Sequence, residues 1–383
     1  MRIVLNGVET NNKGAELMLY AILQEIEKRF PDAIVYVGMN SVKQGLGYIQ
    51  TSVRLREKTV SKIRKVISLS LIKRLSRIFH FNPILFEDIY AVSGTDYFFD
   101  GSGLWYSDQW NFNSWEIEKR RRLLFSNYKT GAKIVLLPQA FGPLSSENIK
   151  KSIIDLNDYA NLIIAREKTS YSYIKDSGLV SMDKVGLYPD FTSLITGKVP
   201  ERYKYLQGRV CIIPNNRMIA SNTTSKELYL GFIRKIIEAV RLSGRDVFLL
   251  NHEGVNDERL CYLIQQDNCN VEVITGLNAL EVKGIISISY LVVTSRFHGA
   301  ASALNSCVPC LSTSWNHKYE ELFREYKMQD AVLNINDIDG CVMKVSEYID
   351  SRNNDEIRFR LKEILPAVQD FSRSMWDKIW NLK

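Results

Sequence analysis

Short runs of apolar and β-branched residues recur along the chain, and the stretches between them place apolar positions three and four residues apart, as one face of a helix requires. The alternation predicts βαβ units, parallel sheets and an α/β fold. In the first half the predicted strands are 3–7 (IVLNG), 33–39 (AIVYVGM), 96–101 (DYFFDG), 133–141 (KIVLLPQAF), 161–166 (NLIIAR) and 184–190 (KVGLYPD). After Asp190 the stretch 196–208 (TGKVPERYKYLQG) carries Gly, Pro and charges without periodicity and reads as a boundary. A second series then runs through 209–215 (RVCIIPN), 246–253 (DVFLLNHE), 271–276 (VEVITG), 290–299 (YLVVTSRFHG), 308–315 (VPCLSTSW) and 331–335 (AVLNI). The expected organisation is two doubly wound, Rossmann-like domains, 1–195 and 209–350. A helical segment, 353–383, is interrupted at Pro366; Phe371, Met375, Trp376 and Trp380 give it an apolar face that packs back on the first domain.

A length of 383 residues with 45% hydrophobic and 24% charged residues suits two packed cores and excludes disordered or fibrous architectures. The opening MRIVLNGVETNNKG has one basic residue before its short apolar run and reads as a first strand, not a signal peptide, so a cytoplasmic location is expected. The longest uncharged stretch, between Arg296 and Lys318, is broken by Asn305, Ser306 and Pro309 and is no membrane span. Six cysteines fit reduced, buried thiols. Cys307 and Cys310 form a CxxC, but Pro309 between them leads into a strand where a redox motif would open a helix, and a zinc site would need two further ligands. No metal site is predicted.

The net charge of +7 is concentrated in one place. Between Arg54 and Arg77 nine basic residues face Glu57 alone, and without that local +8 the chain carries −1. One basic patch implies an anionic surface met locally and not general nucleic-acid binding. Within it VSKIRKVISLSLIKRLSRIF interleaves apolar residues with cations, as does an amphipathic helix on an anionic membrane face; a domain helix with a solvated basic face reads the same way. The segment 54–79 is therefore a candidate for peripheral membrane contact.

Ligands of open α/β sheets bind beyond the carboxyl ends of the strands, which selects the candidate site residues. The strand YLVVT ends in Ser295, Arg296 and His298 where a small-residue helix begins, so backbone N–H groups and a cation meet at an anion-binding position. The plainer alternative is a histidine that caps a buried turn. Lys318 opens a helix whose first turn holds Glu320 and Glu321, an unfavourable end for a lysine unless an anion binds there. Arg166 follows NLIIA and can hold a carboxylate or phosphate in a fork; an ion pair with Glu167 or another nearby acid is the alternative. Gly101, Ser102 and Gly103 let backbone approach a ligand after the strand YFF. Asn12 and Lys13 follow the first strand, which has neither a GxGxxG nor a Walker pattern. Asp190 and His252 complete the strand-end set.

These residues fall in blocks that resemble the polysaccharide pyruvyl transferase family: NNKGAELML, DGSGLW, GAKIVLLPQAFGPL, AREKTSYSYI, LYPD and, most specifically, SRFHGAASALNSCVPCLSTSWNHKYEEL. The resemblance spans nearly the whole chain. It implies a GT-B-like fold, with two Rossmann-type domains facing across a cleft, and transfer of pyruvate from phosphoenolpyruvate to a sugar as a ketal. It implies Arg166, His298 and Lys318 as the donor-binding and catalytic set, with no cofactor beyond phosphoenolpyruvate as co-substrate. Two positions depart from the family pattern: Asp100 stands where the glycine-rich turn begins, and Glu167 replaces an aspartate.

The expected enzyme modifies a sugar of a cell-surface polysaccharide or its lipid-linked precursor, from the cytoplasm or the inner membrane face. His298 is the expected general acid/base, and Arg166 with Lys318 the cations for the donor's carboxylate and phosphate. Fold does not fix function, so a GT-B glycosyltransferase using a nucleotide sugar and an inactive glycan-binding homologue are the alternatives.

Overall fold

The computed structural model describes residues 1–38, 53–56, 74, 94–221, 223–267 and 271–382. They belong to two compact units, one of Met1–Val8, Leu23–Tyr188 and Asp377–Lys383, the other of Glu9–Ile22 and Pro189–Trp376.

The first unit is built on β1 (Arg2–Asn6), β2 (Ile34–Gly38), β3 (Val53–Arg56), β4 (Tyr97–Asp100), β5 (Lys133–Gln139), β6 (Leu162–Ala165) and β7 (Val185–Leu187). They form one sheet in the order β3-β2-β1-β4-β5-β6-β7, with every pairing parallel. β4 and β6 are buried along their whole length, which is why LIIA of β6 and the first three residues of β4 read as continuous apolar runs. The helices Ser114–Tyr128, Glu147–Tyr159 and Lys168–Ser177 start and stop on local chemistry. Asn113 and Glu116 make a reciprocal capping box, Ser146 caps the second helix, and Gly178 at φ +62° ends the third. β3 was not among the expected strands, because its VRLR reads as the start of the basic segment 54–79. Arg54 and Arg56 are strand residues paired in register with Tyr36 and Gly38. The amphipathic stretch from Val60 to Phe79, apart from Arg74, lies outside the described residues.

The second unit repeats the scheme with β8 (Val210–Ile213), β9 (Val247–Leu250), β10 (Glu272–Ile274), β11 (Leu291–Thr294), β12 (Cys310–Thr313) and β13 (Val332–Leu333). Their order is β10-β9-β8-β11-β12-β13, again parallel throughout. Phe232 and Ile236 of the helix Lys226–Leu242 join Phe248, Val292 and Leu311 of the sheet in one fully buried core. Cys310 opens β12 in that core, and Cys307 and Cys310 are free thiols whose pKa values burial pushes up, so the pair belongs to the packing.

In each sheet the strand order reverses at one point, between β1 and β4 and between β8 and β11. Both reversals are the places where a doubly wound sheet opens a ligand crevice at its carboxyl edge.

The C-terminal helix, Ser351–Trp380, runs without a break through Pro366, where an interruption was expected. Proline removes one backbone donor, and the packing of the faces around it keeps the helix whole. Met375 and Trp376 are buried, whereas Phe371 is 47% exposed and lies off the apolar face. Trp380 packs edge-on against Phe30, Tyr97 and Phe99 in the first unit, and Trp376 against Phe191 in the second. No helix among the described residues is long and apolar enough to cross a membrane.

Candidate active site

The reversal point of the second sheet carries the SRFH segment. β11 ends at Thr294, and the helix Phe297–Leu304 starts three residues later with Arg296 as its extended N-cap. The turn is this short because Gly299 has no side chain: a Cβ there would fall 2.7 Å from Thr294 Oγ1 and 3.1 Å from Ile213 Cδ1. His298 is thereby held at the carboxyl edge of the sheet, next to the end of β8.

Asp190 faces it. The Asp190 side chain caps the turn Phe191–Leu194, with Oδ1 accepting from the Thr192 N–H at 2.9 Å and from the Thr192 hydroxyl at 2.5 Å. Its second oxygen, Oδ2, lies 3.5 Å from His298 Nε2. That nitrogen is buried and makes no hydrogen bond among the described residues, so imidazole and carboxylate stand at ion-pair distance with room to tighten. On the other side Gly14, in the first turn of Lys13–Arg29, touches the ring: a Cβ at Gly14 would sit 2.1 Å from His298 Nδ1. The NNKG segment after the first strand is therefore shaped by the histidine it packs against.

Around this pair the remaining strand-end residues are engaged in distinct ways. Arg296 is gripped by Asp257, with Nε and Nη2 donating at 2.7 and 2.5 Å, and also pairs with Glu253. Glu253 in turn accepts from Asn12 Nδ2 at 3.0 Å, while Asn12 Oδ1 caps the Lys13–Arg29 helix through the N–H groups of Gly14 and Ala15. Lys13 is buried, and its ammonium donates to Glu16 at 2.7 Å and to the Thr10 carbonyl at 3.3 Å. Ser295 lies in a buried network in which its hydroxyl meets those of Tyr229 and Thr313 at 2.8 and 2.7 Å. Its carbonyl accepts from Asn215 and Tyr319. His252 is almost fully buried, and burial together with the positive charge of Arg296 holds its pKa well below the usual histidine range, so the ring is neutral.

Lys318 begins the helix Lys318–Glu325, as the sequence requires. Its ammonium lies over three rings, 4.6 Å from the centroid of Trp315, 5.4 Å from Phe297 and 5.7 Å from Tyr319. The aromatic faces hold the cation beside the residue that precedes His298. Trp315 Nε1 donates to Tyr319 Oη at 2.8 Å, which fixes the rings that make this seat.

In the first unit, the DGSG turn sits at the reversal between β1 and β4. Gly7 and Ser102 are pressed together, with a Cβ at Gly7 falling 2.2 Å from Ser102 Oγ. Gly101 N–H donates to the Asn6 carbonyl at 2.9 Å, and Gly103 adopts φ +73°. Asp100, the departure from the family pattern, points inward. It is fully buried, pairs with Arg120 and accepts from Ser102 N and Oγ at 3.0 and 2.5 Å. Arg120 also stacks over Trp105 at 4.8 Å and donates to Tyr106 Oη at 3.1 Å; burial pushes its pKa down to about 9, which leaves it charged at neutral pH. Arg166 is buried past the end of β6, and its Nε lies 3.6 Å from Glu167 Oε2, so the ion pair weighed from the sequence is present.

Four participants went unread in the sequence: Gly14, Asp257, Arg120 and Lys283, whose ammonium is buried near Asp190. Lys283 left a signal in ALEVKGII, a lone cation in an apolar helix; the other three act through contacts distant in sequence. Among the described residues no three metal-ligating side chains converge.

The sequence model of the polysaccharide pyruvyl transferase family matches residues 12–317, a span that holds the NNKG, DGSG, Arg166, LYPD and SRFH segments. No curated protein sequence matches the chain. Among solved structures, a putative UDP-N-acetylglucosamine 2-epimerase from Listeria monocytogenes is 13% identical with a TM-score of 0.57, over 97% of this chain and 93% of that one. The Anabaena HepE protein, solved with UDP and glucose, is 10% identical with a TM-score of 0.56, over 100% and 99%. UDP-GlcNAc 2-epimerase from Neisseria meningitidis, bound to UDP-GlcNAc, is 10% identical with a TM-score of 0.57, over 99% and 100%. At these identities the likeness is one of fold, the GT-B-like composition of two Rossmann-like α/β units.

Proposed function

The chain belongs to the polysaccharide pyruvyl transferase family, and on that footing we propose that it transfers pyruvate from phosphoenolpyruvate to a sugar of a cell-surface polysaccharide or its lipid-linked precursor, forming a ketal. The observation that carries the reading is the His298–Asp190 pair at the reversal point of the second sheet, with Gly14 shaped to admit the ring.

C3 of the donor gains a proton, a sugar hydroxyl adds to C2, the C2–O bond to phosphate breaks, and a second hydroxyl of the same sugar takes its place. Of the two hydroxyl protons, one balances that gained by C3 and the other leaves with phosphate. His298 is the general acid/base that moves them, a role that contributes on the order of 100- to 10,000-fold in a well-placed group. Asp190 orients the ring and stabilises its protonated form. Lys318 supplies positive charge for the donor, and Arg296, held rigid by Asp257 and Glu253, fixes the N-cap of the Phe297–Leu304 helix, whose N–H groups suit an anion. Arg166 is assigned to an anionic group of the donor by its place in the family pattern. Ser295 supports the turn from within its hydroxyl network, and Asn12, Lys13 and His252 line the same region. Gly101, Ser102 and Gly103 are assigned to the acceptor side.

The basic run between Arg54 and Arg77 supports a peripheral meeting with an anionic membrane, where a lipid-linked acceptor resides. Changing Lys62, Arg64, Lys73 and Arg74 to Gln tests that part by vesicle co-sedimentation, and equal binding by both proteins would contradict it.

The transfer itself is tested by incubating the protein with phosphoenolpyruvate and an oligosaccharide acceptor preparation. Phosphate release that depends on acceptor and on His298, with an acceptor mass gain of one pyruvate less water, is the expected result. Acceptor modification from a nucleotide sugar, without use of phosphoenolpyruvate, would overturn it.

A further inference from the structure

Lys283, on the helix Ala279–Ser287, is only 2% exposed. Its ammonium donates to the Thr192 carbonyl at 2.7 Å. A primary ammonium taken out of water with so little to bond is disfavoured, and a hydrophobic residue of similar volume would fit the site at lower cost. Burial pushes its pKa down to about 8, and Asp190 is the neighbouring charge that opposes the drop.

Its surroundings connect it to the histidine. Thr192, whose carbonyl Lys283 holds, donates both its N–H and its hydroxyl to Asp190 Oδ1, and Asp190 Oδ2 faces His298 Nε2. Cation, turn, carboxylate and imidazole form one continuous line within the second unit. Two glycines set its length. A Cβ at Gly197 would fall 2.3 Å from Gly284 N, and one at Gly284 would fall 2.3 Å from the Lys198 carbonyl. Lys198 N–H also donates to the Leu280 carbonyl at 2.8 Å, so the segment following the Asp190 turn is clamped to the helix that carries Lys283.

We infer that Lys283 is a positioning residue of the His298 site: a buried cation that holds the Asp190 turn, shares the Asp190 carboxylate with His298 and so sets how readily His298 keeps a proton. The inference deepens the acid/base role proposed for His298 and rests on that reading for its catalytic meaning. The charge of Lys283 offsets part of the field that Asp190 sets up at His298. Removing that positive charge leaves the imidazolium better stabilised than before. The other groups of this region are Gly14 and Lys13 from the Lys13–Arg29 helix, Arg296 beside the ring, the buried His252, and Tyr326, which lies within the field of Asp190. None of them changes in the test below.

The test is an NMR titration of the histidine side chains in the full chain, with His298→Ala used to assign the signal. Lys283→Met is expected to raise the His298 pKa by about 0.5 or more, and Lys283→Arg, which keeps the charge, to leave it near the wild-type value. Should the Met variant fail to fold, Lys283→Gln is read in its place. A His298 titration unmoved in a folded, uncharged variant would overturn the inference and leave the transfer reading intact. Because the titration needs neither donor nor acceptor, a failure of pyruvyl transfer is seen separately, in the phosphate-release assay.

Discussion

His298 Nε2 and Asp190 Oδ2 stand 3.5 Å apart, the carboxylate fixed by its own turn and the ring fixed by a glycine on its far side. One Asp190 oxygen caps its own turn, and the other faces the ring as an electrostatic partner of set position. Asparagine keeps the capping acceptor and removes the charge. Asp190→Asn is therefore expected to lower kcat roughly 10- to 100-fold while leaving donor affinity within about twofold, and His298→Ala to lower it by the full 100- to 10,000-fold of a lost acid/base. Steady-state kinetics with separate donor titration checks both; equal loss of donor affinity in Asp190→Asn would assign Asp190 to binding instead.

Gly14→Ala places a methyl group 2.1 Å from His298 Nδ1. The helix start tolerates alanine, and Ala has the better helix propensity. The ring has to move, and a misplacement near 1 Å costs on the order of 100-fold in rate. The expected variant has lost roughly that much activity with an unchanged far-ultraviolet circular dichroism spectrum and Tm. Full activity would mean that the ring position is not what the chemistry depends on.

Asp155, on the helix Glu147–Tyr159, has its pKa pushed up to about 7, chiefly by burial and further by Asp158 and Glu118, against the opposing Arg121. The folded state thus holds this proton more tightly than the unfolded chain. Stability from the group is fully present below the ordinary aspartate value near 4 and is lost as pH rises through about 7. Asp155→Asn should match wild type near pH 4 and exceed it increasingly up to pH 7, by roughly 2–4 kcal/mol, with a constant gap above that. Urea unfolding across this pH range checks the sign; a gap that closes as pH rises would contradict it.

The sheets were legible in the sequence because strands buried on both faces leave continuous apolar runs, as in Leu291–Thr294 and Leu162–Ala165. Val53–Arg56 was not, because its side of the sheet is an edge and VRLR alternates apolar and basic residues like the cationic stretch that follows. Pro366 misled in the other direction, since packing kept intact a helix that local propensity would break. His298, Lys318 and Asp190 were selected as candidates from their place after strands, a rule that follows from sheet topology. The partners that give them their geometry were not. Whether Arg296 is held by Asp257, whether Asp100 is met by Arg120 and whether Gly14 makes room for His298 are decided by tertiary approach, and no periodicity records that.

Whether phosphoenolpyruvate is the donor is decided by calorimetric titration of the purified chain, with inorganic phosphate and UDP as controls and Lys318→Ala as the paired variant. Saturable phosphoenolpyruvate binding that Lys318→Ala weakens at least about tenfold, a loss of about 1.4 kcal/mol, is the predicted result. Tight UDP binding with no response to phosphoenolpyruvate would contradict the account and assign the chain to nucleotide-sugar chemistry.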